Sequence, residues 1–132
     1  MNITTIASVT LPAFYDKTRN LNNLLTWMEQ AAQEGADLVV FPEQVLQGYL
    51  PDTLNWNGEA VAWQMAQAEV VTEGESVQAM QRLATQLGLH VVFGMTERHP
   101  ERAEILFNSA VLLGPGGLVG VYRKVHQPGD EK

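Results

Sequence analysis

Asp37-Leu-Val-Val-Phe-Pro-Glu-Gln-Val-Leu-Gln-Gly-Tyr49 is the stretch on which the reading of this chain turns. Leu38 to Phe41 is an unbroken apolar run, the pattern of a strand covered on both faces in a parallel α/β sheet. Pro42 stops it, because proline has no N–H to give to a ladder and a fixed φ. Glu43 therefore falls just past the carboxyl end of a strand, the edge where open α/β sheets place their chemistry. An ordinary solvated loop acid fits the same residues equally well, so the stretch locates a candidate without assigning it a role.

On the amino-terminal side, Asn2 to Thr10 sets Ile3, Ala7 and Val9 among Thr and Ser and reads as a first strand closed by Pro12. From Asp16 the period changes. Leu21, Leu24, Leu25, Met28, Ala31 and Ala32 recur at helical spacing, with Asp16 as cap and Gly35 as stop. Strand, helix and strand make a βαβ unit. On the carboxyl-terminal side, Pro51 to Gly58 reads as a loop and Ala60 to Val70 as a short helix, with Trp56 and Trp63 as packing residues. Thr72 and Glu75 fit a capping box ahead of a helix through Val77, Met80, Ala84 and Leu87, closed by Gly88. His90 to Thr96 is a further strand. After a charged connection from Arg98 to Glu104, Ile105 to Leu113 and Leu118 to Arg123 read as two strands. Gly114-Pro-Gly-Gly117 between them is a hairpin turn, since no helix follows and the spacing misses the dinucleotide fingerprint.

The 132 residues carry a net charge of −7 and are 45% hydrophobic, which suits one globular unit with its own core. No Lys or Arg occurs between Arg19 and Arg82, a stretch rich in acids, so a phosphate backbone is repelled and nucleic acid is not an expected partner. No apolar run approaches spanning length and no leader pattern opens the chain, which points to a cytoplasmic protein with no membrane partner. There is no cysteine, hence no disulfide and no thiolate metal site within these residues. His90, His99 and His126 lack metal-ligand spacing, and no cofactor is implied.

Lys124 stands to its strand as Glu43 stands to its own, right after an apolar run and before a proline-containing turn. Opposite charges can thus meet at one sheet edge. A lysine there compensates the desolvation of a buried glutamate and can donate to a developing oxyanion. A rim salt bridge, worth about 0–1 kcal/mol, explains the spacing as well.

Taken together, Phe41-Pro-Glu43 with Gly48-Tyr49, then Phe107-Asn-Ser-Ala110, then Tyr122-Arg-Lys-Val-His126 with Pro128, resemble the nitrilase or carbon–nitrogen hydrolase superfamily. Gly35 to Glu43 and Gly88 to Gly94 look like its connecting segments, so the likeness spans nearly the whole chain. The resemblance implies an α/β fold, the four-layer αββα sandwich of the nitrilase type, of which residues 1–132 would be the amino-terminal half of a single domain. It implies a Glu–Lys–Cys triad that hydrolyses amide, carbamoyl or nitrile bonds of small molecules, in a protein that forms homo-oligomers. Glu43 would be the general base, with a buried environment raising its pKa, and Lys124 the oxyanion donor. The cysteine would lie downstream of Lys132, beyond this sequence. Glu131 is a possible auxiliary acid that helps position the lysine, or a solvated tail acid. Gln47 stands where the family often has Thr, and Gln127 where an apolar residue is usual; neither touches the presumed chemistry. Two other readings use the same residues: a cysteine-free relative that binds a small molecule or partner without turnover, and a generic α/β nucleotide-binding domain, which the missing phosphate loop disfavours.

Overall fold

A computed structural model describes residues 4–49 and 58–126. Within them, β1 (Ile6–Ser8), α1 (Lys17–Gln33), β2 (Leu38–Val40), α2 (Gly58–Gln67), α3 (Glu75–Leu87), β3 (His90–Arg98), β4 (Leu106–Gly114) and β5 (Gly117–Arg123) follow in order. The strands form one sheet in the order β1-β2-β3-β4-β5. β1, β2 and β3 run parallel, while β4 and β5 are added antiparallel. The βαβ unit and the hairpin at Gly114–Gly117 are thus as the sequence indicates. No helix among the described residues is long and apolar enough to cross a membrane.

α1 starts where the capping chemistry puts it: Asp16 is extended and its carboxylate accepts the Arg19 N–H at 2.9 Å. Leu24, Met28 and Ala31 of α1 and Val77, Met80 and Ala84 of α3 turn inward onto the sheet. They meet Val39, Val91, Phe93, Met95, Val111 and Leu113, which share one sheet face by register. This is the core.

Four expectations need correction. Among the described residues, Leu38 to Phe41 is covered on one face only: Val39 and Phe41 are buried under the helices, whereas Leu38 and Val40 are only partly so. Strand β1 is shorter than Asn2–Thr10, pairing only over Ile6–Ser8 among the described residues. α2 ends at Gln67 instead of running to Val70, because Glu69 leaves the helix to bridge Glu97 on β3, its N–H donating to Thr96 and its carbonyl accepting from Arg98. The capping box at Thr72 and Glu75 does not form. The cap position belongs to Gly74, which has no side chain, and the Glu69 carboxylate takes its place, accepting the Ser76 N–H at 3.1 Å and the Ser76 hydroxyl at 2.6 Å. Lys17 closes that arrangement with an ammonium 2.8 Å from Glu69 Oε1. A Cβ on Gly74 would stand 2.2 Å from Glu69 Oε2, so the cap residue is glycine to admit the acid.

The face opposite α1 and α3 carries Ile6, Leu38, Val40, Val92, Ala110, Leu112 and Tyr122 in register, and neither of those helices covers it. Ile6 is 59% and Tyr122 64% exposed. Apolar strands left open in this way favour association. Expressed by itself, the 132-residue chain should therefore self-associate, as read by size-exclusion chromatography with light scattering. A monodisperse, cooperatively melting monomer would contradict this.

Candidate active site

The carboxyl ends of β2, β3 and β5 lie at one edge of the sheet, since β5 is antiparallel to β4 and β4 to β3. Glu43 follows β2 and Lys124 follows β5, and the two meet there: Lys124 Nζ lies 2.9 Å from Glu43 Oε1 across 81 residues of sequence. The same oxygen accepts Asn108 Nδ2 at 2.7 Å. Asn108 lies on β4, opposite Thr96, and its main-chain carbonyl accepts the Lys124 N–H at 2.8 Å. These groups occupy the open, apolar face of the sheet, away from α1 and α3.

The Glu43 side chain is 46% exposed and that of Lys124 29%. The expectation of a buried glutamate with a raised pKa is therefore corrected. The Lys124 hydrogen bond, against a smaller opposing effect of burial and with Asn108 adding to it, holds the Glu43 carboxyl below the ordinary carboxylate range. At neutral pH it is a carboxylate facing an ammonium.

How Glu43 reaches this position depends on a glycine. Phe41 N–H donates to Val92, and Gly94 N–H to Pro42, so the pairing of β2 with β3 runs on to the proline. The chain then turns tightly over Gly94. A Cβ there would lie 2.4 Å from Gln44 N and 2.7 Å from the Glu43 Cα, closer than any side chain permits. Gln44 takes a left-handed conformation, φ 53°, which a non-glycine residue adopts at a cost of about 1–3 kcal/mol. Gln47 repays part of it. Fully buried, it accepts the Thr96 N–H at 2.9 Å and donates to the Thr96 carbonyl at 3.3 Å, the two bonds that a continued strand would have made. Gln47 does not touch Glu43 or Lys124, but it fixes the loop that carries the acid.

A second charged group lies beneath β5. Glu97, 6% exposed, accepts Ser109 Oγ at 2.6 Å and both Nε and Nη2 of Arg123 at 3.0 and 2.6 Å. Burial would raise its pKa, but the Arg123 and Ser109 bonds outweigh it and the carboxyl lies low. The guanidinium also stacks 3.9 Å over Phe107. Arg123 directly precedes Lys124, so this clamp anchors the strand end from which the lysine projects.

Part of this arrangement is legible in the sequence. Glu43 and Lys124 are brought together as the matching strand ends suggested, and Trp63 packs edge-on against Tyr15, ring centroids 5.4 Å apart. Glu131, Trp56 and Gln127 lie outside the described residues. The sequence by itself assigns no role to Asn108, Gly94, Glu97 or Arg123. Gly94 could have been found, since a lone glycine within a strand pattern marks a close backbone approach.

The carbon-nitrogen hydrolase family profile matches residues 5–131. The chain belongs to the carbon-nitrogen hydrolase family. Curated relatives agree: it is 31% identical over 115 residues to a nitrilase of Pyrococcus abyssi, covering 87% of this chain and 40% of the relative. It is 33% identical over 112 residues to an (R)-stereoselective amidase of a Pseudomonas species, covering 85% and 34%. Among solved structures, an amidase from Nesterenkonia sp. superposes with a TM-score of 0.75 at 23% identity, covering 96% of this chain and 46% of the other. The α/β fold is thus that of the nitrilase type, and the chain spans less than half the length of these relatives.

Two outcomes are expected of this family member. Gly94→Ala should destabilise it by about 2 kcal/mol through overpacking against the Glu43 loop, measured as a fall in denaturant midpoint at constant m. Arg123→Ala should cost about 2 kcal/mol at neutral pH, because it leaves a buried carboxylate without its cation. Glu97 has a lowered folded-state pKa, so this stabilisation is present above the ordinary carboxylate pKa and lost as pH falls through the lowered value. Melting curves of variant and wild type should converge in acid; a gap independent of pH would refute the pairing.

Proposed function

We propose that this chain is the amino-terminal part of one carbon–nitrogen hydrolase domain, contributing the general base and the oxyanion-binding cation for hydrolysis of a non-peptide amide, carbamoyl or nitrile bond. The observation that carries this reading is the Glu43 Oε1 to Lys124 Nζ contact of 2.9 Å at the carboxyl edge of the sheet. The relatives, a nitrilase and an amidase, support the bond class. The nucleophile is a cysteine supplied by residues outside these 132.

Written for an amide, the Glu43 carboxylate takes the thiol proton as the sulfur attacks the carbonyl carbon. The carbonyl electron pair moves onto oxygen, and the oxyanion accepts a hydrogen bond from the Lys124 ammonium. As the tetrahedral adduct collapses, the C–N bond breaks and the departing nitrogen takes the proton from Glu43, leaving a thioester. Glu43 then takes a proton from water as it attacks, the C–S bond breaks, and the thiol is reprotonated. The acid and the amine, or ammonia from a primary amide, are the products. Glu43 must begin as the anion, and its lowered pKa meets that requirement down to mildly acidic pH.

The test is ammonia release by the full-length protein across a panel of small amides, carbamoyl amino acids and nitriles. Glu43→Gln should abolish turnover with little change in melting temperature. Retained turnover in Glu43→Gln, or a full-length sequence with no cysteine following the Lys124 motif, would overturn the reading.

A further inference from the structure

Glu43 and Lys124 come from different strand ends, and one residue touches both. Asn108 donates from Nδ2 to Glu43 Oε1 at 2.7 Å, while its own carbonyl accepts the Lys124 main-chain N–H at 2.8 Å. Lys124 Nζ donates to the same Oε1 at 2.9 Å. One oxygen of the carboxylate thus holds two donors, and no hydrogen bond from a described residue reaches Oε2.

We propose that Asn108 is a positioning residue: it ties off Oε1 of Glu43, leaves Oε2 as the oxygen that takes and returns the proton, and sets the spacing from that carboxylate to the Lys124 ammonium. The proposal rests on the reading of Glu43 as the general base.

Three physical points carry it. A carboxylate's terminal torsion is broad and two-fold, so without a fixed donor the two oxygens exchange roles freely. Lys124 is a poor fixed donor, because an ammonium on a four-carbon stem must also turn toward the oxyanion as it forms. The Asn108 amide has no such second duty, so it retains Glu43 while the ammonium is engaged elsewhere. Its platform is also rigid: Asn108 pairs across the ladder with Thr96, whose N–H and carbonyl are held by the buried Gln47 and whose hydroxyl contacts the side-chain oxygens of Gln44 and Gln64 at 2.9 and 2.8 Å. Asparagine fits here where aspartate does not, because an acid beside Glu43 would oppose its ionisation.

The experiment compares Asn108→Leu, which removes the donor at similar size, with Asn108→Asp, which keeps the shape and adds a charge, in the full-length protein beside Glu43→Gln. Both should lower kcat about 100-fold, the scale of a misplaced reacting group, and leave KM within about twofold. The acid limb of kcat/KM should move up in pH for Leu and further for Asp, a displacement that mere loss of folded protein does not produce. In the wild type, the Asn108 side-chain amide resonances should titrate with the acid limb, which needs no variant to fold. Unchanged kcat and acid limb in both variants, or amide resonances that do not titrate, would overturn the proposal while Glu43→Gln stays inactive. Turnover by Glu43→Gln would instead remove the reading on which it rests.

Discussion

The site depends on how the parallel edge of β3 is satisfied once Pro42 has stopped β2. A buried strand edge cannot leave its N–H and carbonyl groups unpaired, at a cost of about 1–3 kcal/mol each. This edge is completed in relay: main chain to Pro42, the Gln47 side-chain amide at Thr96, then the main chain of Glu69 at Thr96 and Arg98. Between the first and second of these the chain makes its excursion, with Gln44 left-handed and Gly94 bare beneath it. Glu43 is on that excursion. The acid is held at the sheet edge by the hydrogen-bond demands of the neighbouring strand as much as by its cation.

Three carboxylates with very different duties follow from this arrangement. Glu69 is buried and serves as the cap that Gly74 lacks, paired with Lys17. Glu97 is buried and clamped between Ser109 and Arg123. Glu43 is nearly half exposed, and its ion pair with Lys124 is of the kind that contributes little to stability. The two structural acids are the better satisfied, and the one proposed for chemistry is the least. That ordering is physically reasonable, because a group locked on every lone pair has none left for a proton in transit.

The sequence was legible where local chemistry decides. Asp16 caps α1, Gly88 ends α3 in a left-handed conformation, and the glycine-rich turn closes the β4–β5 hairpin, each readable from a few neighbouring residues. Period alone placed Leu24, Met28, Met80 and Ala84 in the core. Reading failed where a distant residue overrides a local motif. Thr72 and Glu75 have capping-box spacing, yet a carboxylate six residues before Glu75 does the capping. Leu38 to Phe41 is apolar throughout, and a single sequence cannot say whether the second face is covered within the same described segment. At the site, Glu43 and Lys124 were found by their matching places at strand ends, whereas Asn108 sits in mid-strand, where polar residues ordinarily mean nothing more than solvent.

The open face and the candidate site are the same face. Val40, Val92, Ala110 and Leu112 lie on it beside Glu43, Asn108 and Lys124, so whatever covers the apolar strip also removes water from the ion pair. Two effects then act against each other on Glu43. Desolvation raises its pKa, while the attraction of Lys124 and the Asn108 bond, strengthened at lower dielectric, lower it. Covering would lower the dielectric around the pair without taking its hydrogen bonds. It would also make the ammonium a far stronger partner for an oxyanion than it is in water. On the proposed reading the geometry for base and cation is set within this sheet, and the dielectric that would give it catalytic value would come with whatever covers the open face.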